Sequence, residues 1–495
     1  MNRQITRLGL VALVLMVSLI AATTYWQTWA AAGLADRQDN AIKQVAQFTV
    51  KRGKIRAADG TILARNRAKR IGGRTFYFRR YPMRGLFAHV VGYSTQSRAR
   101  AGLERSQNDW LTGANTTLNT VLRTTLDRLR GVTITGDDLV LTLKPKAQQV
   151  ALLGLGGRCG AAVALDPRNG KVLALASSPT FDPNLIESNF ARANRATGAC
   201  AFSAPLFNRT TNALYPPGST FKVLTTAAAL DSGRYTPSSS FYDPGYCIEY
   251  GRKVFNAGNP EVGPESFGHV DFTTALEHSI NAVFCNVGKA LGPNVILNYA
   301  KRFGFYSVPP LETPSDTRSP SGLWQNGKLY RPKHDYQVDP GRLAFGQERL
   351  LVTPLQAAMI AAGIANRGVV MRPYLIDRVL APSGKVISRT RAREYRRAVK
   401  PQTAAQVTAM MVAAVESGTG TAARIPGIRV AGKTGTAETG LAGRYTTSFI
   451  AFAPAERPRV AVAVFLENQT GYGGTTAAPI AKAIMQALLG PGSNP

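Results

Sequence analysis

Three stretches of this sequence set reactive polar side chains at spacings that would support attack by a serine. The first, "PPGSTFKV", holds Ser219 and Lys222 three residues apart. Pro216, Pro217 and Gly218 form a turn, Ser219 stands at a helix entrance, and the apolar run Val223 to Leu230 propagates the helix. One helical turn then brings Ser219 and Lys222 to the same face. A serine hydroxyl is a poor nucleophile until a neighbouring base takes its proton, and a lysine does so only when neutral. Neutrality near pH 7 requires burial and a nearby second cation. Lys433, in the second stretch "GIRVAGKTGTAE", is the candidate for that cation. The third stretch, "TTALEHSINAVFCNVG", carries Ser279 and Asn281 at the opening of another apolar helical run. Ser279 can relay a proton there and Asn281 can hold a substrate amide. Each stretch alone is close to a chance match, and either serine would serve equally well as an ordinary helix cap.

The lysine stretch also admits a different chemistry. Gly427, Gly432, Lys433 and Thr434 satisfy the phosphate-cradling pattern G-x-x-x-x-G-K-[ST]. Their surroundings do not. The residues before Gly427, "ESGTGTAARIP", are turn-rich and end in Pro426 instead of a strand. Ile428 and Val430 alternate as in a strand, and "GTAETGLAGR" is too rich in glycine for the helix that a phosphate loop opens. Residues 428–438 are therefore expected to form a strand.

Compartment bears on the same choice. Arg3 and Arg7 precede an uncharged stretch from Leu8 to Ala35, long enough to cross a bilayer once. Tyr25, Trp26 and Trp29 fall where an interfacial aromatic belt would lie. "WAAAGLA" offers small residues to a signal peptidase, so a cleaved signal is the alternative to a retained anchor, which the length of the apolar run favours. Either way, the chain beyond about Ala35 is expected outside the cytoplasm with the N-terminus inside. A nucleotide-binding loop has nothing to hold there.

The formal net charge is +31, and residues 51–105 hold many lysines and arginines against only Asp59 and Glu104. Such a balance suggests nucleic acid, but export removes that partner. Anionic lipid head groups, acidic wall polymers or plain solvated faces remain. Four cysteines, Cys159, Cys200, Cys247 and Cys285, allow three disulfide connectivities; Cys159–Cys200 with Cys247–Cys285 is the expected pairing. No C-x-x-C occurs, and His89, His269, His278 and His334 are scattered, which speaks against zinc. No cofactor or metal is implied. "GHVDF" invites a triad reading through His269 and Asp271, but without a G-x-S-x-G elbow it reads as a hairpin edge.

With 495 residues the chain is long enough for two or three domains. Residues 36–150 mix short strands with basic loops and end in "DLVLTLKPKAQQVALLGL", a strand and then a helix. From about Gly157 the pattern runs strand, turn, strand, then helices, then strands near 428–467 and a last helix "AAPIAKAIMQALL". That is an α/β layered domain, an antiparallel sheet flanked by helices. Pro309 to Tyr336 is the longest irregular stretch, and it either borders the site or is solvated loop.

In the order S-x-x-K, S-x-N, K-T-G, with long gaps between, the three stretches resemble the class B penicillin-binding proteins, monofunctional peptidoglycan D,D-transpeptidases. "RGKIRAADGTILA" (Arg52 to Ala64), "FAHVVGY" (Phe87 to Tyr93) and "AGLE" (Ala101 to Glu104) resemble that family's N-terminal pedestal module. "GAAVALDPRNGKVLALASSPTFDPN" (Gly160 to Asn184) resembles the first hairpin of its catalytic domain and "FGQERLLVTPLQAA" (Phe345 to Ala358) its late helix. The compact length is similar to the elongation- or division-associated subgroup. The resemblance implies an anchor over 1–35, a pedestal over 36–150, and a serine β-lactamase/transpeptidase-like domain over 151–495.

It also implies roles. Ser219 attacks the penultimate carbonyl of a stem peptide lying antiparallel on the strand of Lys433, with Lys222 as base. Lys433, Thr434 and Thr436, with Gly435 between them, attract the terminal carboxylate. The N–H groups of Ser219 and Thr436 form the oxyanion hole. Whether Lys222 or Ser279 delivers each proton stays open. Expected partners are peptidoglycan stem peptides, β-lactams that trap Ser219, the membrane through one span, and a multi-spanning glycan polymerase with other wall-synthesis proteins. A D,D-carboxypeptidase, a β-lactamase or penicillin sensor, and a non-catalytic scaffold remain alternatives.

Overall fold

The computed structural model describes residues 2–25, 48–115, 118–195, 200, 204–259 and 263–490. The first helix, Asn2–Tyr25, contains a 20-residue apolar segment, Thr6–Tyr25, exposed along its length. At 1.5 Å per residue it spans about 30 Å, the thickness of a bilayer's hydrocarbon core. Trp26, Trp29 and the small-residue stretch after them lie outside the described residues.

A six-stranded sheet follows, in the order Val386–Arg389, Ile376–Leu380, Asp138–Leu141, Ile55–Arg56, Ile62–Ile71, Arg74–Arg80. Its first two strands come from far along the chain, so the sheet is not built from residues 36–150 alone. The reason lies in Asp138–Leu141, where Leu139 and Leu141 are fully buried and the strand needs a partner on each side. Ile55 supplies one in parallel, and Ile376 to Leu380 the other, antiparallel. Beside this sheet Glu104 is fully buried and accepts from Arg52 Nη2 at 2.8 Å and Arg79 Nε at 2.6 Å. Desolvation acts to raise its carboxyl, but the two guanidiniums outweigh it and hold the group below the usual carboxylate range.

The second sheet runs Ala431–Glu438, Tyr445–Ala453, Val460–Gln469, Gly160–Leu165, Val172–Ser178, antiparallel throughout. Alternation along Val460–Gln469 explains its layers. Val460, Val462, Val464 and Leu466 join the apolar cluster of helices Pro145–Leu155 and Ala478–Leu489, whereas Ala461, Ala463 and Phe465 join that of helix Pro354–Ala365. Both faces are covered, so the strand reads as an unbroken apolar run. The expected α/β layering is what the chain adopts.

Two details differ from the sequence reading. The motif strand starts at Ala431 instead of residue 428, because Ile425 and Ile428 bridge a turn over Pro426 and Gly427 and Arg429 O accepts from Ala455 N. The stretch from Pro309 to Tyr336 is not wholly irregular. Gly322–Gln325 and Lys328–Tyr330 form a hairpin over Asn326 and Gly327, both at positive φ (50° and 72°), as a two-residue Asn-Gly turn demands. The connection also carries a short 3-10 turn, Ser315–Thr317. The strand Gly268–Asp271 pairs with Ser240–Asp243, as expected of a hairpin edge, and Asp271 caps the next helix through Thr274 N. The disulfides are Cys159–Cys200 and Cys247–Cys285, the expected pairing.

Candidate active site

Ser219 sits in a 3-10 turn, Gly218–Phe221, that runs directly into the helix Lys222–Asp231. Three contacts pin this turn. Tyr215 exchanges both backbone hydrogen bonds with Val352; Gly218, at φ 53°, donates its N–H to Gly346 O at 3.0 Å; and Thr220 Oγ1 donates to Pro217 O at 2.8 Å. A Cβ on Gly346 would stand 2.0 Å from Gly218 O, so only glycine allows the clasp.

Lys222 is wholly buried. Its Nζ donates to Ser279 O at 2.6 Å, Asn281 Oδ1 at 2.7 Å and Ser279 Oγ at 3.2 Å. With its donors so engaged it makes no hydrogen bond to Ser219 Oγ in this structure. Ser279 is not a helix cap. It follows the helix Phe272–Glu277 at φ 63°, a costly conformation for a residue with a side chain, and it faces Lys222. The next helix, Asn281–Leu291, starts at Asn281 and takes its cap from elsewhere, with Asn256 Oδ1 accepting from Ala282 N at 2.9 Å. Asn281 Nδ2 donates to Phe255 O at 3.0 Å, leaving its second hydrogen for a ligand.

Lys433, also fully buried, lies on the edge strand Ala431–Glu438 with Nζ 3.2 Å from Thr434 O and 3.4 Å from Thr434 Oγ1. Burial lowers its ammonium to about 7. Lys222 falls well below the ordinary lysine value, by burial first and by the charge of Lys433 second. Lys433 thus lies near enough to Lys222 for its charge to act on it. Gly435 lets the strand approach the serine turn, since a Cβ there would meet Ser448 Oγ at 2.3 Å and Pro217 O at 2.8 Å. Thr436 Oγ1 accepts from Gly473 N at 3.1 Å.

The sequence-predicted residues thus fall on three elements: the serine turn with its helix, the Ser279–Asn281 junction that Lys222 bonds to, and the edge strand, whose Gly435 to Ala437 pack against the serine turn. Several neighbours escaped sequence reasoning. Thr419 Oγ1 lies 2.7 Å from Thr434 Oγ1, yet its stretch read only as a turn. The Phe255 carbonyl has no sequence signal at all. Glu467, buried in the central strand, accepts from Tyr215 Oη at 2.7 Å and pairs with Arg209 Nε at 3.2 Å, which ties the approach to Ser219 to the sheet. A buried acid in an apolar strand was the available clue. A cavity of about 480 Å³ lined by Arg158, Leu441, Arg444 and Glu467 holds none of the motif side chains.

This geometry is that of a serine acyl-transfer site, and the comparisons agree. The profile of the penicillin-binding protein transpeptidase domain matches residues 160–486, and that of the penicillin-binding protein A dimerisation domain matches 52–139. The chain belongs to the penicillin-binding protein transpeptidase family. The peptidoglycan D,D-transpeptidase PbpA of Mycolicibacterium smegmatis is 36% identical over the whole of both chains. Penicillin-binding protein A from M. tuberculosis, solved as its ceftriaxone acyl-enzyme, superposes with a TM-score of 0.80 at 34% identity, covering 90% of this chain and 100% of that one. The same protein as its penicillin G acyl-enzyme gives 0.75 at 35% identity, covering 89% and 100%. Like these penicillin-binding proteins, the chain has an α/β transpeptidase fold with an antiparallel sheet between helices.

Proposed function

We propose that this chain is a membrane-anchored peptidoglycan D,D-transpeptidase that crosslinks stem peptides through an acyl-enzyme on Ser219, and that β-lactams acylate the same hydroxyl. The observation that carries the assignment of roles is the hydrogen-bonded set of Lys222, Ser279 and Asn281 beside a second buried lysine, Lys433.

The hydrogen bonds of Lys222 describe how the base works. Ser279 O and Asn281 Oδ1 are pure acceptors and each requires an N–H. A neutral lysine retains two N–H groups and gains one lone pair, so it keeps both short bonds and frees a position to accept a proton. That proton comes from Ser219 directly or by way of Ser279 Oγ. Ser219 Oγ then adds to the penultimate carbonyl, and the Ser219 and Thr436 N–H groups stabilise the oxyanion. The terminal residue leaves as an amine carrying the proton, and the amine of a second stem displaces Ser219 to form the crosslink. Lys433, Thr434 and Thr436 hold the donor carboxylate, whose charge restores the ammonium of Lys433. Gly435 keeps the strand close enough for the donor to pair along its open edge.

The helix Asn2–Tyr25 would hold the protein in the membrane with its N-terminus inside and the catalytic domain outside. Residues 36–150 would serve as the pedestal and 151–495 as the catalytic domain. Glycan strands would be polymerised by a separate multi-spanning protein. The test is mass spectrometry of the full chain after exposure to penicillin. An adduct on the Ser219 peptide that persists is expected; an adduct elsewhere, or rapid turnover of the drug, overturns the assignment.

A further inference from the structure

The hairpin Ile62–Ile71 and Arg74–Arg80 forms one end of the six-stranded sheet and projects beyond the buried core. Arg65, Arg67, Lys69, Arg70, Arg74 and Arg80 are exposed on it, and among the described residues none has an ion pair. Arg79 alone reaches an acid, Glu104. Arg65 stands directly opposite Arg80, and like charges so placed destabilise a bare hairpin. Strand alternation puts Arg65, Arg67, Lys69 and Ile71 on one face with Phe76 and Phe78, so cations and apolar groups are interleaved there. Ile71, at the tip, is 48% exposed.

Phe48, the first described residue after the apolar helix, packs on this hairpin. Phe48 O accepts from Tyr77 N at 2.7 Å, and the Phe48 ring stacks on Phe78 with centroids 5.7 Å apart. Only residues 26–47 separate that point from Tyr25, a reach of at most about 80 Å even fully extended.

We infer that this hairpin docks on the anionic phospholipid surface of the membrane that the first helix spans. Lipid phosphates would sit between the opposed arginines, and Ile71 would enter the interface. Interleaved aromatic and aliphatic groups fit a bilayer boundary better than a wholly hydrophilic polymer, and the tether restricts the hairpin to the membrane's vicinity. The inference rests on the anchored reading above, and the experiment separates the two.

The full chain carrying Ile71→Cys is labelled with an environment-sensitive fluorophore; the four native cysteines are in disulfides and do not compete. It is reconstituted in phosphatidylcholine vesicles with and without phosphatidylglycerol. Flotation with the vesicles checks the anchor, and fluorescent penicillin on Ser219 checks the fold and the enzymatic reading. The expected result is blue-shifted emission, quenched by spin-labelled lipid, in anionic vesicles only. It should be lost in about 1 M salt, where the screening length is about 3 Å, and in R67Q/K69Q/R70Q/R74Q. The variant R389Q/R391Q/R393Q removes exposed charge at and just after the strand on the other edge of the sheet and should change nothing. Identical emission in both vesicle types, or a response to soluble polyanionic wall polymer in place of vesicles, overturns the proposal.

Discussion

Lys433 is buried as completely as any leucine of the core, and its titration should be visible in two independent measurements. Its charge contributes to holding Lys222 low, so Lys433→Met should move the rising limb of acylation rate against pH upward. Lys433→Arg, which keeps the charge, should leave the limb in place. Rates of fluorescent-penicillin labelling across a pH series decide this. The second measurement is stability. Lys433 titrates at about 7 when folded and near its ordinary value of 10.5 when unfolded, so between those values the unfolded chain binds the extra proton. Stability then climbs with pH in that window, by at most about 1.4 kcal/mol per unit, and is lost as pH falls through 7. Urea unfolding of Lys433→Met should show a flatter profile. At this scale the sequence was informative, since Ser219, Lys222, Ser279, Asn281 and Lys433 could all be named from types and spacing. The partners that are backbone atoms, Ser279 O and Phe255 O, could not, because any residue supplies a carbonyl.

The elements that hold these side chains suggest changes that leave the reactive groups untouched. Gly435→Ala would put a methyl group where Ser448 and Pro217 already stand, so the edge strand must move away from the serine turn. We expect a stability loss of about 1–3 kcal/mol together with a drop in acylation rate larger than any change in fold content. Circular dichroism and labelling kinetics on one sample separate the two. The hairpin of Tyr246–Glu249 and Arg252–Phe255 carries the carbonyl that orients Asn281, and Cys247–Cys285 fastens it to the helix Asn281–Leu291. Replacing both cysteines by serine opens a loop of sequence separation 38, for which chain entropy predicts a loss of about 4 kcal/mol. Acylation should slow as well, measurable well below the melting temperature. Strand and helix types were readable from periodicity. The Asn326-Gly327 hairpin was not read from the sequence, although its turn residues carried the signal, because a Pro- and Ser-rich neighbourhood reads as loop.

For the molecule as a whole, the proposed division near residue 150 is crossed by the hairpin of Ile376–Leu380 and Val386–Arg389, which shares a sheet with strands from residues 55–141. A chain starting at residue 151 would leave Ile376–Leu380 without Asp138–Leu141 and cut helix Pro145–Leu155 in half, exposing apolar surface in both places. Such a truncation should be insoluble, whereas the full chain in detergent should melt in one transition by calorimetry. Nothing local in "LIDRVLAPSGKVIS" announces this long-range pairing, because its partner strand lies more than two hundred residues earlier in the chain. Among the described residues, the strand Ala431–Glu438 has a neighbour in the sheet on one side only. An unfilled strand edge usually invites aggregation. Here, on the proposed reading, it gives the enzyme a ruler that measures main chain and ignores most side chains, so muropeptides whose third residue differs between species should be accepted nearly alike, and peptidomimetics with an extended amide backbone should compete without any β-lactam ring.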